Sequence, residues 1–447
     1  MSRVVKGAPV PAGRAVPVGG DGVAIGLLGC GTVGGAVVRL LRANGKEILR
    51  RTGATLRVAR VAVAHPERPR DLTFEPGVLT GDAAAVAADP AVDVVVEVMG
   101  GLEPARTLLL DAIAHGKHIV TANKQLIARH GPELFAAAGR AGVDLRLEAS
   151  VGAGVPVIQM VKESLAANRI LELTGILNGT TNYILTKMAE DGSEFGAALA
   201  DAQRRGFAEA DPTDDVEGHD AAAKLAILAT IAFHTPVHAD QVYREGIARV
   251  SAQDIEYAAE LGYAVKLLAI AREHDGRVEA RVHPAFLPRA HPLAAIRNEL
   301  NAVFVRGDRA GEVMIVGRGA GGDPTASAVV ADLVDVARNH RRGGHGRVGW
   351  EAIEPRPLRP MEDVETPFYL LLHVSDRPGV FARIATVFGE EGVSISAISQ
   401  KSRGATADIV MITHTAREGQ MRKVLARVEA MDVVSAVRNV IRVVDGE

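Results

Sequence analysis

Little in this sequence suits covalent cross-linking, stacking on nucleic-acid bases or crossing a membrane. Of 447 residues, one is a cysteine, Cys30. A lone cysteine excludes a disulfide framework and a cysteine-built zinc site, and it fits a reducing cytoplasm. Aromatic residues make up 4%, too few for a base-stacking surface. The formal net charge is −3, so no bulk field draws nucleic acid or anionic lipid. No apolar run approaches the roughly eighteen residues that a spanning helix needs. Small molecules are therefore the expected partners, with neither nucleic acid nor membrane among them. Pro9, Pro11 and Pro17 would break a targeting helix, so residues 1–20 read as a disordered tail rather than a transit peptide.

What is abundant is apolar sequence, at 47%, and glycine, with 47 residues. A chain this long exceeds one compact core and suits two or three domains. Apolar runs at 23–28, 56–63, 93–98 and 118–121 alternate with Ala-rich helical stretches. That rhythm is required by a parallel sheet covered on both faces, a Rossmann-type doubly wound α/β domain over residues 21–150. Residues 151–320 turn mainly helical and then strand-rich, as in a mixed α/β catalytic and dimerisation domain. A helix within 321–345 is expected to pack back on the first domain. Residues 346–366, with Pro355, Pro357 and Pro360, read as a linker. Residues 367–447 run strand, helix, strand, strand, helix, strand, the order of a ferredoxin-like βαββαβ domain.

Gly29-Cys30-Gly31-Thr32-Val33-Gly34 is a G-x-G-x-x-G directly after a strand and opening a helix. The first glycine allows the turn, the second lets backbone approach a pyrophosphate, and the third lets helix and strand pack closely. The helix N-terminus then offers free N–H groups to the phosphates. The cofactor is therefore NADP or NAD. No acid closes the second strand to take a ribose hydroxyl, whereas Arg68 and Arg70 follow it, which favours NADP.

Carboxylates gather in residues 206–220, with Glu209, Asp211, Asp214, Asp215, Glu217 and Asp220, followed by Lys224. Asp211-Pro212 reads as a helix N-cap with proline at the first helical position. Asp220 and Lys224 stand four apart on one helical face. A surface ion pair is the plain alternative. Lys224, however, is embedded in Ala221-Ala222-Ala223 and Leu225-Ala226-Ile227-Leu228, where a lysine is costly without a partner. Lys124 and Glu97-Val98-Met99-Gly100-Gly101 both sit at the strand edge where open parallel sheets bind ligands.

Five motifs occur in order: the glycine loop, Glu97–Gly101, Thr121-Ala122-Asn123-Lys124, residues 175–185 (Gly-Ile-Leu-Asn-Gly-Thr-Thr-Asn-Tyr-Ile-Leu), and residues 206–216 (Gly-Phe-Ala-Glu-Ala-Asp-Pro-Thr-Asp-Asp-Val). Together, over roughly residues 21–345, they resemble homoserine dehydrogenase. The resemblance implies reversible, nicotinamide-dependent interconversion of L-homoserine and L-aspartate 4-semialdehyde. It places Lys224 as the acid/base, with Lys124 and Asp220 beside it. Glu209, Asp214 and Asp220 fall where the family holds the substrate ammonium or supports the lysine. The implied cofactor positions are Gly29, Gly31, Thr32, Val33, Gly34, Arg68, Gly100, Thr121, Lys124, Gly206 and Gly321. Burial and a second ammonium are expected to depress a catalytic lysine toward a useful range. Glu148, Val151, Ala153 and Val155 resemble the family's monovalent-cation loop, a sodium site made of one carboxylate and main-chain carbonyls. A glycine-rich hinge is the plain reading of the same stretch. Family members often carry a basic residue where this chain has Ala64 or His65, which leaves the cofactor preference open.

Ser375-Asp376-Arg377-Pro378-Gly379-Val380 joins a strand to a helix in the last domain, which resembles an ACT domain. The resemblance implies a homodimer or homotetramer and an amino-acid effector, L-threonine, at Asp376, Gly379 and Val380. Two rival functions are weaker. An aldehyde dehydrogenase needs a nucleophilic cysteine, and the only one lies inside the cofactor loop. A non-catalytic nucleotide and amino-acid sensor would have no use for paired lysines among carboxylates.

Overall fold

A computed structural model describes residues 22–342, 344–346 and 353–444; the tail read at residues 1–20 lies outside them. The first sheet contains β1 (Gly22–Leu28), β2 (Thr55–Ala62), β3 (Leu79–Thr80), β4 (Val94–Glu97), β5 (His118–Thr121) and β6 (Leu145–Arg146). All its pairings are parallel, in the order β3-β2-β1-β4-β5-β6. The chain reverses direction across the sheet between β1 and β4, and such a switch point opens a crevice at the strands' C-terminal edge. The helix Thr32–Thr52 and the late helix Gly322–Arg341 pack together on one face through Val37, Leu41, Val329, Leu333 and Val336.

The second sheet begins with β7 (Ile170–Ile176), followed by β8 (Tyr243–Arg244), β9 (Tyr263–His274), β10 (Arg277–Pro288), β11 (Leu300–Gly307) and β12 (Gly311–Arg318). The C-terminal domain supplies β13 (Glu365–Thr366), β14 (Phe368–Ser375), β15 (Ile395–Arg403), β16 (Thr406–Thr413), β17 (Ala416–Arg417) and β18 (Val434–Val443). With helices Val380–Glu390 and Glu418–Glu429, its main elements run βαββαβ. The two domains share one ten-stranded sheet, ordered β12-β11-β7-β9-β10-β18-β14-β16-β15, with β8 also on β10. The seam is a parallel pairing of Ala285 with Arg442 and Phe286 with Val443. Arg442 reinforces it through ion pairs to Glu245 at 2.9 Å and Glu418 at 2.7 Å.

Residues 353–366, read from sequence as part of a linker, are fastened to the catalytic core. Glu354 N donates to His234 O at 2.9 Å, Arg356 N to Thr235 Oγ1 at 2.8 Å and Arg359 N to Val278 O at 2.9 Å. Proline forbids regular pairing along this stretch, yet single backbone groups between the prolines still find partners. The helix His219–Phe233 runs through the catalytic core, with Leu225, Ile227 and Leu228 at most 2% exposed. No helix among the described residues is long and apolar enough to cross a membrane.

Candidate active site

One end of the crevice is built from backbone. Gly29 has φ +98°, and a Cβ there would lie 2.8 Å from Val98 O. A Cβ on Gly34 would stand 2.2 Å from Gly29 O, so only glycine lets the helix Thr32–Thr52 start this close to β1. At Gly31 a Cβ would meet nothing within 4 Å. The loop therefore leaves open space where a pyrophosphate would approach, in front of the free N–H groups of a 21-residue helix. Glu97, fully buried at the end of β4, accepts from Met99 N at 2.8 Å, Gly100 N at 3.2 Å and Thr121 Oγ1 at 2.7 Å. It ties together the turns after β4 and β5. Asn123 continues the tie, donating to Gly101 O at 2.7 Å and capping the helix that begins at Lys124.

The other end is built from side chains. A cleft of about 1070 Å³ runs from Val33, Gly100 and Gly321 to Lys124, Asp215, Asp220 and Lys224. Asp220 is the hub. Its Oδ1 accepts a hydrogen bond from Lys124 Nζ, and its Oδ2 lies 2.8 Å from Lys224 Nζ. Asn178 Nδ2 donates to the same Oδ2 at 2.9 Å and to Asp215 Oδ1 at 2.6 Å. Lys224 Nζ also donates to Leu177 O at 2.9 Å. Burial alone would raise the Asp220 pKa, but the two ammonium groups hold it well below the usual carboxylate range. Burial pulls Lys124 down, yet Asp220 more than offsets this, and Lys124 ends above its ordinary value. The Asp220 carboxylate at contact distance is what keeps Lys124 raised despite its burial.

Several sequence-predicted residues meet in this cleft: Val33, Gly100, Lys124, Gly206, Glu209, Asp220, Lys224 and Gly321 all line it. Gly29, Thr32 and Gly34 shape its glycine loop. Others stand apart. Asp214 is exposed and lines a neighbouring depression with His219 and the outer side of Lys124, while Asp215 faces the cleft. Both sit on the turn Thr213–Val216, where consecutive side chains diverge by about 100° and only one can point inward. Pro212, not Asp211, immediately precedes that turn; Asp211 accepts from Thr213 N at 3.1 Å instead. Thr121 is fully buried, its hydroxyl engaged with Glu97. Arg68 is exposed on the loop after β2, and Arg70 is bonded back to His65 O at 2.6 Å and Arg68 O at 2.7 Å. Asn178 and Asp215 were not singled out from sequence, although both lie inside the quoted motifs.

Of the four residues in the expected cation loop, Glu148 turns its carboxylate to Ile158 N at 2.8 Å and Gln159 N at 2.7 Å. It borders a small cavity of about 20 Å³, whereas Val151 and Ala153 border the main cleft. Ala153 has φ +45°, an uncommon conformation that redirects the neighbouring carbonyls. Val155 O accepts from Val157 N at 2.7 Å. In the C-terminal domain, Asp376 accepts from Gln400 Nε2 at 3.1 Å and Ser402 Oγ at 2.5 Å. Gly379, at φ +87°, precedes the helix that starts at Val380.

Comparison with known proteins agrees with this arrangement. Residues 156–334 match the homoserine dehydrogenase family model, residues 29–148 its NAD-binding domain, and residues 368–432 the ACT domain. A homoserine dehydrogenase of Corynebacterium glutamicum is 46% identical over 428 residues, covering 95% of this chain and 96% of the relative. That of Pseudomonas aeruginosa is 44% identical over 421 residues, covering 92% and 96%. The crystal structure of a homoserine dehydrogenase from Thiobacillus denitrificans superposes with a TM-score of 0.88 at 45% identity, covering 95% of this chain and 98% of that one. A hyperthermophilic archaeal homoserine dehydrogenase solved in complex with NADPH covers 70% of this chain and 97% of its own, with a TM-score of 0.59 at 25% identity. With its glycine loop, its lysine pair and its C-terminal ACT domain, this chain belongs to the homoserine dehydrogenase family, the nicotinamide-dependent oxidoreductases that act on a CH–OH group.

Proposed function

We propose that this chain interconverts L-homoserine and L-aspartate 4-semialdehyde, with Lys224 as the proton carrier and Lys124 as its electrostatic partner. The observation that carries the reading is the pair of lysines gripping one buried carboxylate, Asp220, at the far end of a cleft that opens on the glycine loop. Bound nicotinamide supplies or accepts the hydride. In the reducing direction the aldehyde carbon gains that hydride, and its oxygen must gain a proton at nearly the same moment. Lys224 holds a proton on an ammonium that Asp220 and Leu177 O aim. Lys124 stays charged beside Asp220 and stabilises the negative charge growing on oxygen. In the oxidising direction Lys224 takes the hydroxyl proton as the hydride leaves. Asp215 and Glu209, both bordering the cleft, face the substrate ammonium. Asp214 serves at most as a distant charge.

The finer assignments rest on chemistry at each place. NADP is favoured over NAD because no acid stands at the end of β2 and Arg68 is free to reach a 2′-phosphate; the archaeal relative was solved with NADPH. A sodium ion suits the hard main-chain oxygens of Val151, Ala153 and Val155 beneath the cleft; the Glu148 carboxylate, engaged by Ile158 N and Gln159 N, would brace that loop from its other side. L-Threonine is the proposed effector at Asp376, Gly379 and Val380, its carboxylate meeting the N–H groups at the start of the Val380–Glu390 helix. The exposed Met314 and Val316 on edge strand β12 favour a homodimer or homotetramer.

The test is a set of initial rates with L-homoserine and each of NAD and NADP, with and without L-threonine. Turnover confined to homoserine supports the reaction, and the rate ratio chooses the cofactor. Threonine inhibition that disappears in Asp376→Asn, with uninhibited turnover unchanged, supports the effector site. Folded protein that turns over homoserine with neither cofactor overturns the reading.

A further inference from the structure

Away from the cleft, a groove of about 310 Å³ lies between the catalytic core and the strap of residues 358–364 that leads into the C-terminal domain. Arg281 of β10 lies in its wall, and Leu358, Met361 and Val364 give it an apolar roof. Arg281 is 3% exposed, and neither its Nε nor its Nη1 has a hydrogen-bond partner. Glu279 approaches Nη1 at 3.1 Å without the alignment of a hydrogen bond. The other oxygen of Glu279 lies 3.3 Å from Arg359 Nη1. Two guanidinium groups therefore share one carboxylate, and Arg281 keeps two buried donors unspent in the groove wall. Leaving such donors unmade is costly, and a planar guanidinium matches a carboxylate in shape and charge.

The groove is not uniformly basic. Asp240 stands exposed at its rim. A phosphate bound at Arg281 would face both Asp240 and Glu279, whereas a zwitterion would set its ammonium against Asp240. The apolar roof then receives a short side chain. Asp240 belongs to the turn Ala239–Gln241, and Ala239 and Asp240 also border the depression that holds Lys124 and Asp220.

We propose that this groove is a second amino-acid site, taking the carboxylate of a free α-amino acid at Arg281 and its ammonium at Asp240. Its occupancy is transmitted to the lysine end of the active site through Ala239–Gln241. The binding half stands independently of the reaction assigned above; the regulatory half rests on it.

The experiment is calorimetric titration of the full chain with each of the twenty amino acids, with acetate and inorganic phosphate as separate probes. The same titrations are run on Asp376→Asn, Asp240→Asn and Met361→Trp, the last of which fills the groove from its half-buried roof without altering charge. The expected result is one amino acid whose binding survives Asp376→Asn, weakens about tenfold or more in Asp240→Asn, and vanishes in Met361→Trp. That amino acid should also change homoserine turnover in the parent chain and not in Met361→Trp. The groove is overturned if no amino acid loses binding in Met361→Trp, if every amino acid that does so is also lost in Asp376→Asn, or if no probe binds. Acetate or phosphate binding as tightly as the amino acid overturns the zwitterion assignment. Binding with unchanged turnover overturns the coupling alone. Binding in a protein that never turns over homoserine overturns the dehydrogenase reading and leaves the groove standing.

Discussion

The two ends of the cleft are made of different material. The cofactor end is backbone: Gly29, Gly31 and Gly34 matter for the atoms they lack. The lysine end is side chain: Lys124, Asn178, Asp215, Asp220 and Lys224 come from four separate stretches of chain and meet around one carboxylate. A backbone site tolerates many neighbours but no Cβ. A side-chain site tolerates backbone changes but not the loss of a charge. Binding of the cofactor and chemistry on the substrate should therefore be separable by substitution.

Lys224→Ala is the sharpest way to break that separation. Turnover should fall by about a thousandfold, within the usual range for loss of a general acid–base. Cofactor affinity, read by fluorescence titration of reduced nicotinamide, should stay within about twofold. A matching loss of cofactor affinity would mean that the two ends are one unit. Next in size comes the carboxylate pair. Asp215→Asn should raise the homoserine KM about tenfold or more through loss of a charge-assisted bond, while Asp214→Asn leaves it within about twofold. Reversed effects would place the wrong side of the turn in the cleft. Gly34→Ala probes the backbone end. The added methyl forces the helix off β1 and should cost about 1–3 kcal/mol in stability or cofactor binding. At saturating cofactor its turnover should remain near that of the parent.

The smallest effect concerns pH. Because Asp220 raises Lys124, this lysine remains an ammonium through the neutral range. The sign follows from that direction: the positive charge is present below the raised value and is lost only above it. The reductive rate should therefore show no alkaline fall attributable to Lys124 until beyond the ordinary lysine range of about 10.4. Asp220 contributes stability of opposite pH sense. Its carboxylate is depressed, so its contribution is present above the usual carboxylate range and fades only in strong acid. Loss of the Lys124 charge near pH 7, read by amine-specific labelling at that residue, would show that the Lys124–Asp220 pair is not intact in solution.

The same contrast explains what was legible before the fold was known. The glycine loop announces itself because its constraint is local, a strand, a turn and a helix in succession. The alternation of apolar runs likewise located β1, β2, β4 and β5 within a residue or two, since burial on both faces leaves continuous apolar sequence. Asp220 and Lys224 were readable as a pair because helical spacing is also local. Asp214 and Asp215 were not separable, because which one faces inward depends on how the short turn Thr213–Val216 lies on the core. Asn178 was hidden for a different reason. Its partners are 37 and 42 residues away, and nothing in a neutral side chain signals that it will hold two carboxylates. Proline and glycine suggested a free linker at residues 346–366. The tethers at Glu354, Arg356 and Arg359 are tertiary and left no trace in composition.

The placement of β18 has a consequence for how the molecule comes apart. It is the last strand of its sheet in sequence, yet it lies between β10 and β14, near the middle. Removing it would uncover two unpaired strand edges at once, one on each domain, and such edges invite association with other chains. The catalytic and C-terminal domains should accordingly melt in one cooperative transition rather than two, with amide exchange at Ile441 and Val443 as slow as that in the core strand β9. The C-terminal domain is then less a hinged appendage than a keystone, and an effector bound there would act by deforming a shared sheet rather than by swinging a lid.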